Sequence, residues 1–437
     1  MRWLWTLLCL SVLQAARSED YANNTSIQLF QQYVQINTTT NNDLTPAVEF
    51  WTTQAADAGV EMTVLNFTEG YPVIVLKWPG TNSSLSSIML NSHMDVVPAS
   101  ESDGWTYPPF SAYLDDEGVI WGRGTQDMKS VSIQYLEALK KLKADNVTLL
   151  RDVYMTLMPD EETGAANGMQ LFVKSDEFAA MNVGLELDEG TSYALPYGAI
   201  FYQDKSPWQI QIDCYGTSTH SSQFPATNNT ATGMCRNVIN KFLEFRDAEY
   251  VKYQAVGILN AGNYTSVNLN KLNGGTANNI IPSHVSLVFD IRLNITINET
   301  LFEAQLNEWI TEAAAGGNVT LTFLQKDAQT PATVITADNP YYTTFVSVCQ
   351  QQNLTVVPLV PPGATDARYI RAAGYPAFGF SPMPNTELLL HSPNERLNAT
   401  TFLTGIDIYI ALIKNLANLS GDEISADPSS YIVKTAG

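Results

Sequence analysis

Apolar residues recur along this chain with two periods, and the changes from one period to the other mark out its elements. Spacing of three and four residues over 27–36, 47–58 and 129–143 predicts helices. Short apolar runs over 73–78, 87–91, 119–121, 153–158 and 183–187 predict strands, with a helix restarting over 168–174. Strands alternating with helices predict an α/β fold with a mostly parallel sheet. From residue 203 the order becomes strand 208–215, helix 231–245, strands 266–271 and 285–293, helix 301–313 and strand 319–324. That order predicts an inserted split-βαβ (ferredoxin-like) domain, four strands with two helices on one face. The first pattern then resumes over 341–352, 377–380 and 403–416. The expectation is a catalytic domain in two parts, 19–202 and 327–437, interrupted by a smaller domain over 203–326. The polar tail, roughly the last fifteen residues, is expected to be loose.

Length supports the division, because 437 residues exceed what one core organises. A net charge of −21 argues against nucleic acid and anionic membrane as partners, since both require a basic face. The start of the chain reads as a secretory signal over 1–18. Arg2 supplies the positive end, an apolar run covers 3–13, and Ala16-Arg17-Ser18 offers small residues for cleavage. No later segment has the unbroken apolar length of a membrane span. N-x-Ser/Thr sequons begin at Asn23, Asn24, Asn37, Asn66, Asn82, Asn146, Asn228, Asn263, Asn294, Asn298, Asn318, Asn353, Asn398 and Asn418. Together these predict a secreted, N-glycosylated protein. With Cys9 removed in the signal, Cys214, Cys235 and Cys349 remain. Cys214 and Cys235 lie close enough in sequence to pair, but small buried thiols are the favoured reading for all three.

Candidate chemistry collects where strands end. His93 and Asp95 follow the 87–91 strand, a spacing in which an imidazole binds metal and a carboxylate orients it; taken alone, the pair reads more simply as two solvated polar residues. Asp127 follows Gly122-Arg123-Gly124, whose glycines allow close backbone approach, and a carboxylate there either bridges cations or caps the next helix. Glu161 and Glu162 follow Pro159-Asp160. Adjacent like charges repel, so a cation would relieve them, one glutamate ligating and the other handling a proton; a solvated loop is the alternative. Glu189 offers a further oxygen, with Asp188 as its competitor. His391 follows an apolar run and is a ligand candidate, whereas His284 reads as a surface residue. Nitrogen and carboxylate oxygen without sulfur suit zinc-like divalent ions.

These segments carry a resemblance. Leu90 to Pro98, Arg123-Gly124-Thr125-Gln126-Asp127-Met128-Lys129 and Pro159-Asp160-Glu161-Glu162-Thr163-Gly164 resemble the M20 metallopeptidases. Asn279-Ile280-Ile281-Pro282 carries the resemblance further, and Leu187-Asp188-Glu189-Gly190, Ala364 to Arg371 and Gly379-Phe380-Ser381-Pro382-Met383 are similar to the aminoacylase branch of that family, the N-acyl-L-amino-acid amidohydrolases. The similarity runs from about Ser26 to about Leu419.

The resemblance implies two Zn²⁺ per subunit bridged by Asp127, with His93 and Glu189 completing one site and Glu162 and His391 the other. It implies that Asp95 holds the His93 ring and that Glu161 is the general base acting on metal-activated water. The inserted domain would form a homodimer through 203–326, and its His220 would serve the partner subunit's site. Asn279 and Arg292 would assist, while Arg368 and Gly379 would hold the substrate carboxylate. The function so implied is hydrolysis of the amide bond of N-acyl-L-amino acids. An M20 carboxypeptidase or dipeptidase is the rival within the family, and a secreted non-catalytic binding protein the rival outside it. Two departures stand out: the branch is usually cytosolic, and Asn278 occupies a position that is often aromatic.

Overall fold

A computed structural model describes residues 21–433. The signal over 1–18, with Cys9, lies outside the described residues. The chain divides into two units: one takes the chain up to Tyr202, then Ala332–Pro358 and the chain from Thr365, and the other takes Gln203–Pro331 with Leu359–Ala364.

The first unit is built on a mixed, mostly parallel sheet. Its strands lie in the order Glu61–Thr68, Tyr71–Trp78, Val153–Met158, Ser87–His93, Val183–Asp188, Ala377–Gly379, Tyr197–Phe201 and Thr355–Leu359. The central four are parallel to one another, while Tyr71–Trp78 and Tyr197–Phe201 flank them antiparallel. Every residue of Ser87–His93, Val153–Met158 and Val183–Asp188 is buried, as parallel strands covered on both faces must be. His93 pairs in register with Met158, and Leu90 with Leu187. The loops after these three strands therefore emerge side by side on one edge of the sheet, strands about 4.8 Å apart.

Lys129–Ala144 and Ala399–Leu416 belong to the main apolar core, where Phe30 stacks on Phe402 at 4.5 Å. Lys129 is fully buried, and its ammonium donates to the carbonyls of Tyr33 (3.1 Å) and Ile36 (2.6 Å). Those carbonyls end the Thr25–Gln35 helix, so the lysine serves as its C-terminal cap. Burial pushes the Lys129 ammonium down to about 7.

In the second unit the strands lie antiparallel in the order Ser266–Gly274, His284–Arg292, Pro207–Tyr215 and Asn318–Lys326. Trp208, Ile210, Ile212 and Cys214 alternate onto one face, where they share a core with Met234, Val238 and Phe242 of one helix and Phe302, Leu306 and Ile310 of the other. The first helix, Ala231–Val256, runs well past the 245 suggested by its apolar spacing and stops at Gly257, where φ is +70°. The unit also reaches beyond residue 326: Trp208 Nε1 donates to the Asp327 carbonyl and Gln203 to that of Thr330. Leu359–Ala364 joins it because Lys205 N–H donates to the Gly363 carbonyl and Val360 packs on Gly262.

Two expectations are corrected. Cys214 and Cys235 form a disulfide, their Cα atoms 5.9 Å apart, while Cys349 is a free buried thiol. The bond joins the inner face of a strand to the helix packed on it, a closeness that sequence separation does not reveal. The tail is not loose as far as Val433: Ile424 and Tyr431 are buried, and Ile432–Val433 pairs with Ala332–Thr333. Among the described residues no helix is long and apolar enough to cross a membrane.

Candidate metal centre

His93 closes a buried strand and is fixed at both ring nitrogens. Its Nδ1 lies 2.8 Å from the Asp95 carbonyl, which can only accept, so Nδ1 carries the proton. Nε2 lies 3.0 Å from Asp127 Oδ1, to which it donates when the ring is protonated, and 3.6 Å from Glu189 Oε2. The other oxygen of Asp127 lies 3.1 Å from His391 Nε2, which is also 3.0 Å from Glu162 Oε2. One carboxylate therefore faces two imidazoles, each with a second carboxylate beside it. Glu161 is adjacent: ligand-type atoms of His93, Glu161 and Glu189 lie within 4.8 Å of one another, as do those of His93, Asp127 and Glu162.

Asp95 works differently from the expectation. The His93 ring is held by its backbone carbonyl, and its carboxylate is 3.7 Å from Nδ1, beyond hydrogen-bond reach. That carboxylate instead accepts the N–H groups of Glu161 (3.1 Å) and Glu162 (3.2 Å). Asp95 thus orients both glutamates through its carboxylate and the imidazole through its backbone carbonyl. Asp188 is not the equal of Glu189. Its oxygens turn into the sheet, accepting from Asn91 at 3.0 Å and the Ala367 N–H at 2.7 Å. Gly379 pairs with Asp188, and a Cβ there would collide with the Glu189 carbonyl oxygen. Glycine at 379 thus allows the strand to approach the backbone that carries Glu189.

Arg368 is buried, its Nη atoms donating to the Thr365 carbonyl (2.7 Å) and Tyr369 Oη (2.9 Å), with Nη1 3.8 Å from Glu161 Oε1. In the second unit His220 and Asn279 come together: Thr219–His220 pairs with Ile280–Ile281, and Ser221 N–H donates to the Asn279 carbonyl. The His220 ring is exposed and hydrogen-bonded to Ser222 at 2.9 Å. Arg292 is not beside them. It ends the His284–Arg292 strand, roughly 27 Å along from His284 at 3.4 Å per residue, and is paired with Asp290 at 2.8 Å. His284 pairs with Asp213 at 2.7 Å.

Electrostatics asks for a cation here. Burial pushes the Glu161 carboxyl up to about 8, with repulsion from Glu162 adding to it. Burial and then Asp127 raise Glu189 well above the carboxylate range. Burial opposes charge on His93, but Glu189 and Asp127 outweigh it and hold the ring well above its usual value. Hydrogen bonds to Asp127 and Glu162 lift His391 to about 10. Asp127 is desolvated too, yet His391 and His93 keep it well below the ordinary range. Four carboxylates converge on two imidazoles, and Glu162 Oε1 is buried without a hydrogen-bond partner among the described residues. An oxygen and nitrogen set of this kind fits divalent metal.

The comparisons agree with the chemistry. Residues 89–415 match the model of peptidase family M20/M25/M40. The chain belongs to that family. It is 44% identical over 395 residues to aminoacylase-1 of Homo sapiens, covering 90% of this chain and 96% of that protein. It is 35% identical to aminoacylase-1 of Dictyostelium discoideum, covering 91% and 98%. Among solved structures it is similar to the di-peptidase Dug1p from Saccharomyces cerevisiae, at a TM-score of 0.70 and 16% identity over 93% of this chain and 98% of that one. It is also similar to human carnosine dipeptidase 1, at 0.67 and 15% over 92% and 98%. At such identities these two show the fold alone. The chain is thus a hydrolase of a metal-dependent family.

Sequence reasoning overlooked Glu395. It is completely buried, salt-bridged to Arg123 at 2.6 Å, and accepts three N–H groups from the loop that presents Asp127. The signal was available in its place four residues after His391, but acidic residues in polar turns are too common to single one out.

Proposed function

We propose that this protein is a secreted, two-zinc amidohydrolase that cleaves N-acyl-L-amino acids to a carboxylate and a free amino acid. The observation that carries the reading is Asp127, whose two oxygens face different imidazoles while Glu161 stands beside them. His93, Glu189 and Asp127 would hold one ion, and His391, Glu162 and Asp127 the other. Bound zinc supplies Lewis acidity for a carbonyl and lowers the pKa of water. Glu161, whose carboxylate is made more basic than usual by burial, would take the proton from the attacking water and return it to the departing amine nitrogen. Asp95 keeps Glu161 in place through its peptide N–H.

Relatives named aminoacylase-1 support the substrate class. An N-acyl amino acid presents a carboxylate and no ammonium, and Arg368 is the cation assigned to the carboxylate, with Gly379 shaping the backbone nearby. Asn279 and Arg292 are assigned to the substrate as well. A homodimer through the second unit completes the reading, with His220 of the partner subunit polarising the scissile carbonyl. Secretion is supported by the Cys214–Cys235 disulfide, since such bonds persist in oxidising compartments, and by exposed sequon asparagines such as Asn82, Asn146 and Asn353.

Purified protein assayed against N-acetyl amino acids, their carboxamides and free dipeptides tests the reading. Preference for N-acetyl amino acids, abolished by chelator and restored by zinc, is the expected result. Preference for free dipeptides would move the protein to the dipeptidase side of the family, and no turnover by the zinc-loaded protein would make it a binding protein. Arg368→Lys should weaken turnover of acids far more than of carboxamides. Mixing inactive His220→Ala and Glu161→Gln subunits should regain activity through the one intact composite site of a mixed dimer.

A further inference from the structure

Glu395 does more than fill a buried position. Its Oε1 accepts the N–H groups of Gln126 (2.7 Å) and Asp127 (3.2 Å), and its Oε2 accepts the Gly124 N–H (3.1 Å) and the Arg123 guanidinium (2.6 Å). The loop that presents Asp127 is folded around this one carboxylate. Gly124 permits the turn at φ +88°, where a Cβ would press on Val96 and Lys129. Gln126 fastens the same junction from the other side. Its Nε2 donates to the carbonyls of Glu387 and Arg396, both at 2.9 Å, and its Oε1 accepts the Leu389 N–H at 3.0 Å. The segment so gripped, 387–396, carries His391.

The grip matters because His391 stands on a loop with few other restraints: Ser392 N–H donates to the Leu389 carbonyl, and Arg123 donates to that of Ser392 at 3.3 Å. Its backbone is left-handed at φ +59°, and its side chain is 54% exposed. Charge-assisted hydrogen bonds to a buried carboxylate are the strongest restraints available to such a loop. Losing that carboxylate would leave three peptide N–H groups and a guanidinium without it.

We infer that Glu395 and Gln126 are positioning residues that set the placement of His391 against Asp127. Asp127 is common to both cation positions, so they thereby govern the affinity of the position completed by the loop-borne His391 and Glu162 more than that of the position completed by the strand-borne His93 and Glu189. This rests on the two-zinc reading above.

The test titrates zinc at buffered free concentrations into chelator-stripped, full-length wild type, Glu395→Gln and Gln126→Met, reading bound metal by elemental analysis and folding by thermal melts. Gln126→Met keeps volume and disturbs no buried charge, so it serves if Glu395→Gln does not fold. Wild type should bind two ions. The variants should keep one ion near wild-type affinity and bind the other about 10–100-fold more weakly, the usual cost of removing an outer-shell partner. Two ions at wild-type affinity in folded variants, or equal weakening of both, would overturn the inference. Wild type binding no zinc would overturn the two-zinc reading itself, and this inference with it.

Discussion

His93 and His391 face the two oxygens of one carboxylate, and they arrive there by opposite routes. His93 is the last residue of a strand buried along its whole length, with its ring oriented by a backbone carbonyl two residues on. His391 stands on a loop, half exposed, in a left-handed backbone conformation, and depends on Glu395 and Gln126 for its place. The sheet builds one half of the centre, and side-chain hydrogen bonds build the other. Strand pairing is rigid and costs nothing further once the core forms. A loop held by a few polar contacts can shift without unfolding the protein, so the His391 half is the one that variation can tune.

Glu161 stands beside His93 and Glu189 in the rigid half, and its replacement should have the largest effect. Glu161→Gln keeps the shape but cannot shuttle a proton, so kcat should fall by roughly 10²–10⁴-fold while zinc content stays constant. Because Glu161 also lies within ligand distance of His93 and Glu189, zinc lost in step with activity would make it a ligand of the rigid half.

Next comes the contrast in stability between the two histidines. His93→Ala leaves the buried Asp95 carbonyl unpaired and should cost about 1–3 kcal/mol in urea unfolding of the metal-free protein. His391→Ala removes a ring that is itself half exposed, so its loss should be smaller. Equal losses would erase the distinction between a sheet-built and a loop-built half.

The smallest effect is one of pH. Hydrogen bonds to Asp127 and Glu162 hold His391 at about 10, above its ordinary 6.5. A raised pKa means the folded state binds the proton more tightly, so this contact stabilises fully below pH 6.5 and its contribution is lost as pH rises through about 10. In metal-free protein, the difference in urea midpoint between wild type and His391→Ala should therefore be larger at about pH 6 than at about pH 10.5. A difference that does not change would show that the ring is not held by those carboxylates.

Much of the first unit was legible because its strands are apolar along their whole length and end at chemical residues. The runs at 87–91, 153–158 and 183–187 announced Ser87–His93, Val153–Met158 and Val183–Asp188 and placed His93, Glu161 and Glu189 at their ends. Glu61–Thr68 was missed because it is an edge strand with no buried residue, and so has no apolar run to betray it. The choice between Asp188 and Glu189 was open for another reason. Successive residues on a strand point to opposite faces, and only the positions of Asn91 and Ala367 show which face takes a buried carboxylate.

By itself, then, the sequence determined the α/β class, the family and the residue types of a metal centre, since these depend on periodicity and on motifs contained in short segments. Tertiary structure alone decided the Cys214–Cys235 bond, the pairing of the tail, the turning of the Asp95 carboxylate toward Glu161 and Glu162, and the hold of Glu395 on the Asp127 loop. Each joins residues far apart in the chain or depends on which way a side chain turns. A hydrogen bond is decided by tenths of an ångström in space, and spacing along a sequence carries no such distance.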